Sequence, residues 1–192
     1  MDILKLTEEL RDKYYPEMRE DICRLFGSED MKERGRLAGA LLTELPFRLM
    51  GDFHEAALAE KFPGKDGRAR LAEDQKGHIA MSGAAIAGFY DEAAPKTADE
   101  RLDYFKGISV VFPYMLTANH HRWLFEGRSE APDYREFMDG RLPESQAKFW
   151  PLLENAYAVG GEALPEAYCA IAGEHPFTLL RDYYLWLEKQ GV

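Results

Sequence analysis

Five histidines carry the chemistry that this sequence could perform: His54, His78, His120, His121 and His175. An imidazole binds a transition metal through either ring nitrogen and changes charge near neutral pH, so a cluster of such rings can hold a metal or pass a proton. Asp74 and His78 stand four residues apart, which puts both on one face of a helix. With His54 and Glu55 from the preceding helix and His120 from a later one, they make a set of nitrogen and oxygen donors suited to a divalent metal. No other cofactor is expected. The structural alternative is a solvated Asp74 and a hydrogen-bonded His78 beside Gly77.

The tetrad Asn119-His120-His121-Arg122 is the second candidate. His120 falls one turn after Leu116 on an apolar stripe that continues to Trp123. A buried histidine beside an amide and a guanidinium could bind an acid group or carry a proton, which makes His120, His121 and Arg122 the catalytic candidates. The structural alternative is a helix C-terminus, where positive imidazoles offset the macrodipole.

Recognised catalytic motifs are missing from the sequence. It holds no phosphate-binding glycine loop, nucleophile elbow, HExxH zinc motif or calcium-binding loop. That balance favours a non-catalytic helical binding or accessory protein acting through protein–protein contacts. The competing reading is a metal- or small-ligand-binding helical-bundle enzyme built on the histidine and carboxylate set.

The elements that must position these residues read as helices throughout, so an all-α single domain spanning 1–192 is expected. The pattern predicts an irregular bundle of about seven to nine helices. The first covers Ile3 to Tyr15 and breaks at Pro16, and a short second one ends at Gly27. Ser28 reads as the cap of the next helix, where Gly35 and Gly39 would admit a close neighbour and Pro46 interrupts. Another helix runs through Phe47 and His54 to Phe62. A long one over Ala69 to Ala93 carries a small-residue stripe (Gly77, Ala80, Ala84, Ala87, Gly88), suited to tight packing against a helix or a flat ligand. Thr97 to Glu100 forms a capping box that opens a central buried helix, approximately 97–126, with Pro113 kinking its middle. Asp139-Gly140 reads as a turn, and shorter helices open at Pro143, Pro165 and Pro176. The last docks as a lid.

Acidic residues outnumber basic ones, 34 against 24, for a formal charge of −10. Such a surface repels phosphate backbones and anionic lipid, which argues against nucleic acid and membrane as partners and favours a cationic protein. The apolar stretch from Ile108 to Ala118 falls far short of the roughly 20 residues of a membrane span. Met1 to Lys5 lacks the character of a signal peptide, so a cytoplasmic location is expected. Cys23 and Cys169, each among apolar neighbours, read as small buried hydrophobes rather than as a disulfide framework. A homodimer could form through the Gly35–Gly39 helix or through the tyrosine pairs Tyr14-Tyr15 and Tyr183-Tyr184.

Overall fold

Asp2 starts the chain's first helix by accepting the backbone N–H groups of Leu4 and Lys5 at 3.0 and 3.2 Å. The computed structural model describes residues 2–73 and 97–192. Among them the regular structure is helical, with no strand. Helix α1 is Ile3–Gly27, and α2 (Met31–Gly39) continues through a π-helical segment (Ala40–Glu44) into α3 (Leu45–Ala57). Residues 67–73 are helical. Helix α4 (Ala98–Lys106) likewise passes through a π-helical segment (Gly107–Val111) into α5 (Phe112–Leu124). The chain then forms α6 (Tyr134–Val159), α7 (Ala163–Ala172) and α8 (His175–Lys189). No helix among the described residues is long and apolar enough to cross a membrane.

Two prolines expected to bound helices, Pro16 and Pro143, do not, and Pro151 also stands within a helix. Pro16 lies inside α1 and the other two inside α6, where the turn expected at Asp139-Gly140 is helical. The reason lies in the side of the helix they occupy. Each proline orphans the carbonyl four residues earlier, and Asp12, Asp139 and Ala147 are all exposed, as are the prolines themselves. Water can satisfy a carbonyl on that side. Meanwhile the buried stripe of α1 stays in phase across Pro16, through Leu6, Leu10, Tyr14, Met18 and Ile22. Packing therefore outweighs the lost bond.

Pro46 and Pro113 are accommodated in a second way. Each follows a π-helical segment in which the wider turn lets a later N–H reach back five residues: Leu45 to the Ala40 carbonyl, and Phe112 to the Gly107 carbonyl. Neither proline ends its rod. The ladder shifts register just before the residue that cannot donate.

Other expectations resolve locally. Gly27 ends α1, and Thr97 and Glu100 form the expected capping box, their two backbone bonds measuring 3.2 and 2.8 Å. Asp30 rather than Ser28 caps α2, with Ser28 bridging to Glu33. A side chain added at Gly35 or Gly39 would meet none of the described residues, so these glycines serve no close helix contact among them. Cys23 is exposed and Cys169 half-buried. The small-residue stripe from Gly77 to Gly88 lies outside the described residues.

The core forms where α1 packs against α3, α7 and α8, and where α5 packs against α6 and α8. Helix α8, expected as a lid, is part of this core. Tyr183 and Tyr184 are 0% and 1% exposed, which also removes that pair from any surface contact. The α5 rod is buried along Tyr114, Leu116, Thr117, His120, His121 and Leu124, while Met115 on its outer side is 52% exposed.

Candidate functional site

His54, on the last turn of α3, has a fully buried ring. Its Nε2–H donates to the Lys65 carbonyl at 2.9 Å. A carbonyl can only accept, so Nε2 carries a proton. The ring's Nδ1 is buried without a hydrogen-bond partner among the described residues. The chain leaves α3, turns, and comes back over the ring at Gly67, where a Cβ would stand 3.1 Å from His54 Cδ2. Glycine is what lets this strap lie flat on the imidazole.

His120 approaches from α5, its ring centroid 5.9 Å from that of His54 and the planes at 82°. Burial, reinforced by the fields of His54, Arg70 and His121, depresses its pKa from 6.5 to about 3. Behind it stands Tyr184, whose hydroxyl is a long 3.5 Å from Nε2 and whose ring stacks on Phe53. Trp123 closes the group, with centroids 5.2 Å from His54 and 5.4 Å from His120. The Lys65 ammonium and the Arg70 guanidinium lie 5.5 and 5.4 Å from the Trp123 ring.

His121, next in sequence, has a different task. Its Nε2–H donates to the Pro132 carbonyl and its Nδ1 accepts from the Tyr183 hydroxyl, both at 2.9 Å. Burial lowers its pKa as well. Neither imidazole is therefore the cation that a macrodipole role at the end of this helix would need. Tyr134 adds a second tie by donating to the Tyr114 carbonyl at 2.9 Å. Together these bonds clip the start of α6 to α5.

Between those two elements runs an open groove of about 950 Å³. Met115, Trp123 and Met138 supply its apolar surface. Three arginines (Arg70, Arg122, Arg135) and two carboxylates (Glu126, Asp133) line it. Both carboxylates are engaged: Glu126 with Lys65 at 3.2 Å, and Asp133 with the Arg135 backbone N–H at the start of α6. Arg122 and Arg135 have no ion-pair partner among the described residues. A lining with more positive than negative charge stands out in a chain of net charge −10.

The structure brings His54 and His120 together and sets His121 aside as a clamp. Arg122 faces the groove. Glu55 does not join the histidines; it is exposed and accepts the Gly67 N–H at 3.2 Å. Asp74 and His78 lie outside the described residues. Among the described residues, no three His, Cys, Asp or Glu side chains converge to hold a metal ion. His175 donates from Nε2 to the Val110 carbonyl at 3.0 Å and so braces the second π-helical segment. Sequence reasoning missed Lys65, Arg135 and the two methionines, because the groove forms only when distant segments are clipped together.

No protein-family model matches the chain, and no curated protein or solved structure matches it either.

Proposed function

We propose that this is a non-catalytic binding protein whose groove takes a small amphipathic anion, with a carboxylate or phosphate head on an apolar body. The carrying observation is the pairing of Arg122 and Arg135, without carboxylate partners among the described residues, with the apolar surfaces of Met115, Trp123 and Met138. Guanidinium groups suit planar anions, and methionine adapts to varied apolar shapes. The volume falls in the range of small-molecule sites. The charge of the whole chain pointed to a cationic protein partner, whereas the local lining favours an anion. A small ligand also meets less long-range repulsion from the acidic surface than a large acidic protein would.

Calorimetric titration with dodecanoate below its micellar concentration tests this, with dodecyltrimethylammonium as the cation of matched chain. Saturable binding of the anion alone is expected, weakened about tenfold or more in Arg122→Glu/Arg135→Glu. Equal binding of both amphiphiles, or affinity indifferent to the charge reversal, would refute the assignment.

A second reading rests on the Nδ1 of His54, unpartnered among the described residues, beside His120, two nitrogen donors to which a divalent metal could bind. Elemental analysis of protein purified without a histidine tag decides it. Stoichiometric zinc, iron or manganese supports a metal site, and metal-free folded protein removes it.

A further inference from the structure

Helices α1 and α7 pack side by side, and their contacts run in opposite directions along the two chains. Near the middle of α1, Tyr15 lies against Gly173, so close that a Cβ there would stand 2.8 Å from its ring. At the end of α1, Phe26 meets Tyr168 edge-on, with centroids 6.2 Å apart. Between these two contacts an antiparallel register sets Cys23 opposite Cys169. The side chains come close enough there for Cys23 to help raise the pKa of the Cys169 thiol.

We propose that Cys23 and Cys169 are a thiol–disulfide switch that pins α1 to α7. Their accessibility assigns the steps. Cys23 is exposed and reacts first; Cys169 is half-buried and resolves. With a low-molecular-weight disulfide as oxidant, the Cys23 thiolate attacks one sulfur and forms a mixed disulfide, and the released thiolate takes up the proton that Cys23 lost. Cys169 then gives its proton to solvent and attacks the Cys23 sulfur, expelling the second small thiol. Two protein thiols lose two electrons, and the oxidant is reduced to two thiols. Burial and the neighbouring Cys23 push the Cys169 thiol up to about 11, which makes it the poorer first nucleophile at neutral pH.

The switch lies apart from the histidine cluster and the groove, and it is independent of the binding function proposed above. The two helices it would join also line a small cavity, through Met18 of α1 and Tyr168, Ile171 and Ala172 of α7. Fixing the two helices together therefore fixes that cavity's wall.

The test is oxidation of the full native chain with excess oxidised glutathione, followed by acid quenching, intact mass measurement and non-reducing peptide mapping. The expected product has lost two hydrogens, joins the Cys23 peptide to the Cys169 peptide, melts at a higher temperature and reverts with dithiothreitol. Cys169→Ser should stop at a glutathione adduct on Cys23. The exposed Cys23→Ser variant, whose fold circular dichroism checks, should form no internal cross-link. Closure should be slower in urea, where only chance brings the thiols together. Persistent alkylation of both cysteines, glutathione adducts without closure, cross-linked dimers alone, or equal closure in urea would each overturn the proposal.

Discussion

The buried Nδ1 of His54 has no hydrogen-bond partner among the described residues although the imidazole of His120 stands beside it, ring centroids 5.9 Å apart and planes nearly perpendicular. Nε2 is committed to the Lys65 carbonyl, so the ring cannot turn to satisfy Nδ1 without losing the bond that holds the strap. One ring nitrogen anchors the loop, and the other bears the cost of that anchoring.

Replacing His54 with phenylalanine should therefore destabilise the fold by about 1–3 kcal/mol, through loss of the donor to Lys65. Glutamine can restore a donor near Nε2, so His54→Gln should cost less than His54→Phe. Urea unfolding curves for the two variants give the order. A phenylalanine variant as stable as the parent would show that the strap does not depend on this bond.

Acid should weaken the fold before ordinary carboxylates titrate. His120 has its pKa lowered to about 3, so between its ordinary 6.5 and that value the unfolded chain binds a proton that the folded chain refuses. The stability it contributes is complete above 6.5 and is lost as pH falls, at up to about 1.4 kcal/mol per pH unit. His121 and His175 shift in the same direction and for the same leading cause, burial, so they steepen the loss. In stability measured from about pH 6 down to about 4.5, His120→Gln should flatten the slope by up to one proton's worth. An unchanged slope would mean that His120 takes up protons in the folded state.

Two kinds of glycine should respond oppositely to alanine. Gly35 and Gly39 are helical and, among the described residues, nothing stands where a Cβ would go, so Gly35→Ala and Gly39→Ala should each stabilise by about 0.5–1 kcal/mol. At Gly67 the new methyl would press on a histidine ring already fixed by Lys65, Trp123 and His120. Gly67→Ala should lower the melting temperature, and a rise instead would show that the strap moves aside freely.

What could be read from the sequence divides along a physical line. Helix starts such as Thr97, and the stop at Gly27, rest on bonds between residues a few positions apart, so the local pattern carries them. Pro16 and Pro143 were misread because their cost depends on which side of the helix faces water, and a proline does not announce its side. Glu55 was grouped with His54 because they are neighbours in sequence. Adjacent residues on a helix point about 100° apart, and Glu55 turns outward to Gly67. Cys23 was misread in the same way, from apolar neighbours along the chain rather than around it. The groove and the thiol pair were not legible at all, because each joins segments that only the folded packing brings together.

The prolines on the outer sides of α1 and α6 have a consequence before the fold exists. Phe149-Trp150-Pro151-Leu152-Leu153 is an apolar run of the kind that pairs into strands between unfolded chains. Pro151 interrupts it, since a proline cannot donate to a strand ladder. In the finished helix this residue forfeits one solvent-side bond, while in the nascent or heat-unfolded chain it stands guard against aggregation.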